Sequence, residues 1–531
     1  FYIYNIIKMS RPGDLDLTFN STGIVTTVNN VGGVNYLDIV YDMAIQSDGK
    51  IVVCGYSQSP SNPLTTNLLL IRYNVDGTLD SSFGSNGTGL VFPVSGDYDV
   101  SSIYTFSIKI RTDGKIIIGG SAITALFASP APSVRQDSIL LCFNSNGTRD
   151  SSFGTGGIAG GKIFIDMGET LYVDQINTIA IQNDNKIVVG GQYFFQNNTF
   201  TSYLARFTST GQLDTSFGTG GKILYGSSGV SNKITSLAVL SSGEIIAGGN
   251  FTSSTTMQNF YLRRYNSTGT TFFEFAPVDF FSSNDVIEQI ILDNEENIIA
   301  VGHSTSGSIE KFTLTRYSQE GILDITFGAD GTGKVITDFF GNDSYASSVT
   351  IQLDGKIIIG GYTIVNGNYD FALARYNDDG TLDKSFGPYK NGTLTTYITN
   401  NQDGIFSVKI QNIGGVEKLI ACGTSNTTNI NFTNAFPIAP DANTTVVVAR
   451  YLLSSIPIVP VCFPKNTPIQ TDQGIIAIDK INPKINTIWN NKIVAVTKSI
   501  PMQKHIVCIE KNVFGQNIPN KETYISLNHK L

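Results

Sequence analysis

The stretch Ser47–Gly55, which reads SDGKIVVCG, decides the fold because it returns along the chain. Clear copies start at Thr112 and Leu353. Weaker copies are centred on four further positions: Lys186, Glu244, Asn297 and Lys418. The six intervals between Lys50 and Lys418 average about 61 residues, which is long for a solenoid repeat and in the range of a propeller blade. The sequence therefore predicts seven copies of one unit.

Each unit has the same predicted order of strands and turns. An alternating run such as Tyr41–Gln46 leads through an Asp-Gly turn into a second run, Lys50–Gly55. Asp-Gly between two such runs indicates a hairpin, because glycine accepts the positive φ that a tight turn requires. A third run ends in an Arg-aromatic pair, as at Arg72-Tyr73, and is followed by a Leu-Asp-x-x-Phe-Gly turn and one more short run. Four strands in each of seven units predict an all-β, seven-bladed β-propeller.

The two ends of the repeat region complement one another. The last third-strand motif, Val447–Tyr451, has no Leu-Asp-x-x-Phe-Gly after it, and the related segment Asp14–Phe19 stands near the start of the chain instead. We therefore predict that an N-terminal strand completes the last blade and closes the ring, which removes an exposed sheet edge. Residues 1–13, in which the first methionine is Met9, are interpreted as a leader or read-through segment.

The repeat resembles a known family. Asp-Gly-Lys-Ile, Arg-Tyr and Asp-Gly-x-Leu-Asp-x-x-Phe-Gly at this period are similar to the delta-60 repeat, and the resemblance covers residues 14–451 in seven copies. It implies a propeller-like module carried by large bacterial or viral proteins. It implies no particular chemistry.

Composition excludes several classes of partner. The chain has 531 residues, with 43 acidic and 35 basic side chains and a net charge of −8, so it has no overall electrostatic attraction to nucleic acid or anionic lipid. No run approaches the roughly 18–20 apolar residues of a membrane helix. We expect a monomeric propeller with no nucleic-acid partner, no membrane span, no cofactor and no metal.

The repeated polar residues are assigned to the architecture. Segments such as Asn74–Asp80 place oxygen atoms near a glycine, as calcium loops do, but no copy has the distal bidentate Glu of a dedicated loop. We interpret the Asp as a cap of the turn backbone, the Arg of each Arg-aromatic pair as the partner of a repeat Asp, and the Phe of Phe-Gly as core. Three cysteines are expected to be small buried residues and not disulfide partners: Cys54, Cys142 and Cys422.

Departures from the repeat point to a partner. Three stretches are predicted to lengthen the loops before the third strand of their blades: Ser57–Asn67, Ala125–Gln136 and Thr424–Thr445. They carry the aromatic residues Phe127, Phe432 and Phe436 among polar neighbours. We interpret these loops as a rim for an unknown protein or glycan partner, with neutral surface insertions as the alternative.

The pattern changes after Tyr451. Residues 452–461 are predicted to be an extended linker. Cys462–Gly474 then reads Cys-Phe-x-x-x-Thr-x-Ile-x-Thr-x-x-Gly, and Ser526–His529 follows near the end of the chain. These motifs resemble the Hint domain of hedgehog proteins and inteins, with Ser in the Thr place of the Thr-x-x-His block, and are most similar to Hint-containing giant-virus proteins. Because only the front part of the domain is matched, residues 462–531 are interpreted as a truncated, all-β Hint-like domain.

The Hint resemblance implies self-cleavage. The Cys462 thiol would attack the carbonyl of Val461 and convert the Val461–Cys462 peptide bond into a thioester by an N-to-S acyl shift. His529 would protonate the departing nitrogen, since imidazole titrates near neutral pH, and Ser526 would hydrogen-bond the strained amide. The alternative is that Cys462 is a half-buried apolar residue and His529 a surface residue.

Two functions follow from the sequence. The first is a non-enzymatic propeller that serves as an interaction or surface module, joined to a Hint-like domain that, when complete, cuts the chain once. The alternative is a carbohydrate-binding or glycan-active propeller with a degenerate Hint tail. Repeat carboxylates that lie in turns disfavour hydrolysis, because propeller glycosidases bring several carboxylates together. The resemblances imply a virion-associated, secreted or cell-surface protein.

Overall fold

A computed structural model describes residues 10–454 and six short strands between residues 462 and 508. Within the first range it leaves out residues 32–33, 60–61, 85–87, 92–99, 128–132, 155–159, 166, 168–172, 196–198, 226–230, 253–258, 401 and 427–443. All regular structure in the described residues is β-strand. Among them we find no helix with the length and hydrophobicity needed to span a membrane.

The chain from Gly13 to Leu453 forms a compact unit of seven antiparallel four-stranded sheets, the blades of a propeller. Blade 1 comprises β4 (Leu37–Ile45), β5 (Ile51–Ser59), β6 (Asn62–Tyr73) and β7 (Leu90–Val91). Blade 2 comprises β8 (Ser102–Ile110), β9 (Ile116–Phe127), β10 (Ser133–Phe143) and β11 (Lys162–Ile165). Blade 3 comprises β12 (Asp174–Ile181), β13 (Ile187–Phe195), β14 (Thr199–Phe207) and β15 (Lys222–Tyr225).

The remaining blades repeat this order. Blade 4 comprises β16 (Ser231–Val239), β17 (Ile245–Thr252), β18 (Asn259–Tyr265) and β19 (Thr271–Glu274). Blade 5 comprises β20 (Asp285–Leu292), β21 (Ile298–Ser306), β22 (Ile309–Tyr317) and β23 (Lys334–Thr337). Blade 6 comprises β24 (Ser344–Ile351), β25 (Ile357–Val365), β26 (Asn368–Tyr376) and β27 (Thr393–Thr396). Blade 7 comprises β28 (Gln402–Ile413), β29 (Val416–Asn426), β30 (Thr445–Leu452) and β1 (Ile24–Thr27). The predicted seven-bladed, all-β fold is confirmed.

The predicted closure by the N-terminal strand is also confirmed. Strand β1 pairs with β30 in antiparallel register, with Val25 opposite Val448. Asp16 lies 2.9 Å from Arg450 and 3.4 Å from Lys418, and all three side chains are largely buried. Phe19, fully buried, packs in the cluster that joins blade 7 to blade 1. A small hairpin, β2 (Asn30–Val31) and β3 (Val34–Asn35), leads from β1 to blade 1.

The Asp-Gly turns are longer than the two-residue hairpin that the dipeptide usually indicates. Strand β4 ends at Ile45 and β5 starts at Ile51. Within the turn the Gln46 amide donates to the Lys50 carbonyl at 2.8 Å, and Gly49 has a φ of 83°. The Asp48 carboxylate accepts from the Lys50 amide at 3.1 Å. Glycine therefore supplies the positive φ as predicted, and Asp caps the turn.

The Arg of the Arg-aromatic pair holds each blade together and fixes it to the next. In blades 1, 3, 5, 6 and 7 this arginine forms an ion pair of 2.6–3.0 Å with the Asp of Leu-Asp-x-x-Phe-Gly. In the same five blades its guanidinium lies over the ring of the Phe, 4.4–4.8 Å from the ring centroid. Each Phe is buried. These predicted structural roles of the repeat Arg and Phe are confirmed.

Arginine also links the blades in a complete ring. One guanidinium per blade donates to a backbone carbonyl of the following blade, in the pairs Arg72–Ser145, Arg111–Ser209, Arg206–Ser267, Arg264–Gln319, Arg316–Asp378, Arg375–Leu453 and Arg450–Val75. Blade 2 has Cys142 where the others have this arginine, and Arg111 at the end of its first strand takes over the contact. Seven charge-assisted hydrogen bonds thus run around the ring.

The chain from Ser454 onward belongs to a second compact unit, which is described by backbone pairing alone. Strand β31 (Cys462–Phe463) pairs with β36 (Val507–Cys508), β32 (Pro468–Thr471) with β33 (Gly474–Ala477), and β34 (Thr487–Ile488) with β35 (Asn491–Lys492). Strand β30 of the propeller continues to Leu452, and both Leu452 and Leu453 are buried in blade 7.

Candidate binding site in the central channel

The innermost strand of every blade carries a β-bulge at the same place. The bulged residues, in order around the ring, are Tyr41, Phe106, Asn177, Thr235, Glu288, Ser347 and Phe406. A glycine of the second strand faces each bulge, because a backbone carbonyl comes too close for any side chain. At Gly302, for example, an added Cβ would lie 1.7 Å from the Val286 oxygen. The bulge turns one side chain per blade toward the axis of the ring.

Three of the bulged side chains join neighbouring blades. The Asn177 amide donates to the Ile234 carbonyl at 2.8 Å, and the Thr235 hydroxyl donates to the Ile287 carbonyl at 2.8 Å. Ser347 makes the same bond to the carbonyl before the bulge of blade 7, at 2.5 Å. These polar residues are therefore part of the scaffold.

The bulged residues of blades 7, 1 and 2 break this pattern, since all three are aromatic. The Tyr41 ring lies 5.4 Å from the ring of Phe406 and 5.2 Å from that of Phe106, the second contact being edge-on. We call Phe406, Tyr41 and Phe106 the aromatic wall. Burial raises the pKa of Tyr41 to about 12, so its hydroxyl stays protonated at neutral pH.

Next to the aromatic wall lies a group of three charged side chains. The Asp42 carboxylate is 3.6 Å from the Lys109 ammonium and 3.9 Å from that of Lys409. It also accepts hydrogen bonds from the Ile108 amide at 3.1 Å and the Ser407 hydroxyl at 2.9 Å. Burial alone would raise the pKa of Asp42, but the two lysines and these hydrogen bonds outweigh it and lower the pKa. Asp42 is therefore ionised, and the group carries one excess positive charge.

The opposite side of the channel is polar. Gln289 lines the channel and accepts from the Val349 amide at 2.7 Å through its side-chain oxygen, while its NH₂ group has no acceptor among the described residues. Burial raises the pKa of Glu288, and nearby Lys233 opposes the shift. In the described chain neither Glu288 nor Gln192 has a side-chain hydrogen-bond partner. These groups and the aromatic wall line one channel of about 870 Å³.

A tyrosine cluster lies beside blades 5 and 6. Tyr345 stacks on Tyr362 with ring centroids 5.1 Å apart, and His303 meets Tyr345 edge-on at 5.2 Å. Burial lowers the pKa of His303 to about 4, so the imidazole is neutral at pH 7. The rings are in mutual contact and leave no space between them for a ligand. Among the described residues no group of three His, Cys, Asp or Glu side chains is close enough to hold a metal ion.

The residues predicted for self-cleavage are only partly described. Cys462 lies in β31, opposite Cys508 of β36. Val461, Ser526 and His529 lie outside the described residues. The three cysteines of the propeller are free and buried, as predicted.

Two of the predicted rim loops are mostly strand. In Ser57–Asn67, β5 runs to Ser59 and β6 starts at Asn62, and in Ala125–Gln136, β9 runs to Phe127 and β10 starts at Ser133. The prediction of lengthened loops was wrong here, because the two flanks of each stretch pair with one another, as Ser57 does with Asn67 and Ala125 with Arg135, and so extend the hairpin ladder. In Thr424–Thr445 the strands end at Asn426 and resume at Thr445, and Phe432 and Phe436 lie outside the described residues.

The channel residues were not predicted from the sequence, although a signal for them exists. The second strand of all seven units ends its apolar core with glycine, at positions 55, 120, 191, 249, 302, 361 and 423. A glycine that recurs in a strand indicates a bulge or a close backbone approach. The bulged residue directly follows the glycine's partner on the first strand, so this repeat glycine locates Tyr41, Phe106 and Phe406.

Comparison with known proteins supports the fold. The model of a family described as a domain of unknown function (DUF5122) beta-propeller matches residues 46–83, 111–153, 182–217, 240–271 and 352–386, roughly a third of the chain. Each segment starts at or near the turn between the first and second strands of its blade, and four of the five end at the Phe of Phe-Gly. No curated protein matches the sequence.

Solved structures of similar shape are distant in sequence. A protein of unknown function from Dyadobacter fermentans is 12% identical over 67% of this chain and 96% of its own, with a TM-score of 0.39. The α-L-arabinofuranosidase Arb93A from Fusarium graminearum is 10% identical over 67% and 97%, with a TM-score of 0.38. Sqt1 of Chaetomium thermophilum, bound to the N-terminus of ribosomal protein L10, is 9% identical over 78% and 98%, with a TM-score of 0.39. These structures resemble the chain in fold alone. The chain has a β-propeller that is similar to the DUF5122 family in five of its seven blades.

Proposed function

We propose that the propeller is a non-catalytic binding module that takes its ligand in the central channel. The observation that carries this proposal is the break in seven-fold symmetry at the bulges. Asn177, Thr235 and Ser347 connect neighbouring blades. Phe406, Tyr41 and Phe106 instead form an aromatic wall beside two lysines. A concave site with aromatic surface and a few polar groups is typical of ligand binding. The hairpins β5–β6, β9–β10 and β29–β30 are proposed as further contacts for a large partner.

Binding is favoured over hydrolysis by the state of the channel carboxylates. Hydrolysis of a glycoside normally uses two carboxyl groups, one of which must donate a proton. Asp42 is ionised and engaged by two lysines and its hydrogen bonds. That leaves Glu288 as the one channel carboxylate with a raised pKa among the described residues. The repeat aspartates are engaged with arginine and with the turn backbone.

The binding module is tested by probing the full chain on glycan and peptide arrays, followed by incubation of each hit with micromolar protein. We expect saturable binding and no product, measured as new reducing ends or peptide fragments by mass spectrometry. Steady release of product over many turnovers contradicts the non-catalytic role. A failure to bind any probe on either array contradicts the binding role.

We further propose that residues 462–531 act as a Hint-like self-cleaving segment. In this proposal the Cys462 thiol loses its proton and its sulfur bonds to the carbonyl carbon of Val461. The C–N bond breaks, and the freed nitrogen takes a proton from His529. A second nucleophile then releases the propeller with Val461 at its carboxyl end. The support is the front motif Cys462–Gly474 with Ser526–His529. The likeness to delta-60 repeats and to giant-virus Hint proteins belongs to the same proposal.

Self-cleavage is tested by expressing the complete gene in three forms: wild type, Cys462→Ala and Cys508→Ala. We expect a propeller fragment ending at Val461 from wild type and from Cys508→Ala, and only uncut chain from Cys462→Ala. The Cys508 variant is the matched control, because both cysteines stand opposite one another in the β31–β36 pair. The same fragment from the Cys462 variant, or from none of the three, contradicts the proposal.

A further inference from the structure

The charged side chains at the aromatic wall carry more positive than negative charge. Lys109 and Lys409 share the single carboxylate of Asp42, at distances of 3.6 and 3.9 Å that exceed a hydrogen bond. In the described chain neither ammonium has a hydrogen-bond acceptor. Their side chains are 35% and 24% exposed, toward the channel. Burial lowers the pKa of Lys409, and the negative charge of Asp42 only partly offsets this shift. A lowered pKa is expected of a buried cation that lacks compensating negative charge.

Asp42 has little remaining capacity to compensate them. Its two oxygens already accept from the Met43 and Ile108 amides and from the Ser407 hydroxyl, at 2.9–3.1 Å. The ammonium donors are therefore free to bind acceptors that enter the channel. An anionic group of a ligand would supply both an acceptor and the compensating charge.

The two sides of the channel match the two sides of a sugar ring. Aromatic rings pack against the C–H faces of sugars through their apolar surface, and the aromatic wall offers three such rings from consecutive blades. Across the channel, the carboxylate of Glu288, the NH₂ group of Gln289 and the amide of Gln192 are available for hydroxyl groups. A purely apolar ligand would leave these polar groups unpaired.

We propose that the channel binds an acidic oligosaccharide, with carboxylate or sulfate groups at Lys109 and Lys409 and sugar rings on the aromatic wall. This inference rests on the proposed binding function and names its ligand class. A volume of about 870 Å³ accommodates a few sugar rings. Single-stranded nucleic acid also combines aromatic stacking with lysine contacts, but Glu288 and Asp42 in the channel and the net charge of −8 disfavour a continuous polyanion.

The test is calorimetric titration of the full chain with three tetrasaccharides: a galacturonate, a sulfated galactan and a neutral galactan. We expect at least one acidic probe to bind tenfold or more tightly than the neutral one, and more weakly as salt is raised. The variant Lys109→Ala/Lys409→Ala should lose tenfold or more in affinity. Lys109→Arg/Lys409→Arg, which keeps both charges, should retain most of it. Lys311→Ala, on the outside of blade 5, is the matched surface control and should bind like wild type.

Several results overturn the proposal. They are equal binding of the neutral probe, affinity that is unchanged in the double alanine variant, and no binding of any saccharide. If peptides bind on the arrays and saccharides do not, the acidic-saccharide inference fails while the binding module stands. If nothing binds on the arrays or in the titration, both fail. Thermal unfolding of each variant separates loss of affinity from loss of fold, and the salt dependence of wild type tests the charge contribution without any variant.

Discussion

The arginine ring makes a quantitative prediction about stability, best tested at Arg375. This side chain is 2% exposed and forms an ion pair with Asp383 at 3.0 Å. Its guanidinium donates to the Leu453 carbonyl at 2.7 Å and to the Ser385 hydroxyl at 3.1 Å. It also lies over the Phe386 ring. Its replacement by methionine keeps the aliphatic stem and removes every charged contact. The substitution also leaves a buried carboxylate without its partner.

The expected loss follows from that unpaired carboxylate. Asp383 is 9% exposed, and removing one member of a buried ion pair costs about 3–5 kcal/mol. Arg375→Met should therefore reduce the free energy of unfolding by about that amount. In Arg375→Met/Asp383→Asn no buried charge is stranded, so the double variant should be more stable than the single one. The control Lys311→Met breaks a half-exposed pair with Asp338 and should cost under about 1 kcal/mol.

The assay is urea unfolding of the full chain followed by circular dichroism and by tyrosine fluorescence, with coincident transitions required. If Arg375→Met lowers the free energy of unfolding no more than Lys311→Met does, the buried ion pair does not contribute the stability expected of it. A double variant that is less stable than the single variant would also refute the reasoning, because the penalty would then not come from the stranded Asp383 carboxylate.

Three further predictions test other parts of the fold by the same unfolding assay. Gly302→Ala places a Cβ 1.7 Å from a strand carbonyl oxygen and should lower the free energy of unfolding by about 3 kcal/mol or more. The control Gly307→Ala, in a hairpin with open space around the glycine, should lower it by about 1 kcal/mol. Equal losses would contradict the role of the bulge. Burial raises the pKa of Asp38 to about 7. Between pH 4 and pH 7 the folded state therefore holds a proton that the unfolded state has released. The free energy of unfolding of the wild-type chain should fall as the pH rises through this range. Asp38→Asn should remove this pH dependence, so that from pH 4 to pH 7 its free energy of unfolding rises by on the order of 4 kcal/mol relative to that of the wild type. Parallel pH profiles of the two proteins would contradict the prediction. Asp16→Asn removes the carboxylate that pairs with Arg450 at the ring closure and should cost about 3 kcal/mol; a change under 1 kcal/mol would contradict closure by this segment.

The repeat made the fold predictable because it combines several local signals. Asp-Gly turns, the Arg-aromatic pair and the displaced Asp14–Phe19 segment each have one structural solution that agrees with the others. The displaced segment also predicted the closure, since its Asp16 and Phe19 take the places that Asp80 and Phe83 occupy in blade 1.

The channel was not predictable in the same way. Asp42, Lys109 and Lys409 come from three blades and meet only because blade 7 returns to blade 1. No spacing in the sequence brings them together. The extended hairpins were missed for a different reason. Their extra length and their prolines indicated loop insertions, but strand propensity depends on context, and pairing between the two flanks decides the structure.

Lysine footprinting of the full chain shows whether a ligand binds where the channel departs from seven-fold symmetry. The chain is labelled with an amine-reactive reagent, with and without a saturating acidic tetrasaccharide, and each lysine is quantified by mass spectrometry. We expect the ligand to protect Lys109 and Lys409, and we expect Lys311 and Lys390 to be labelled equally in both samples. Unchanged labelling of Lys109 and Lys409 at a saturating ligand concentration would contradict this expectation.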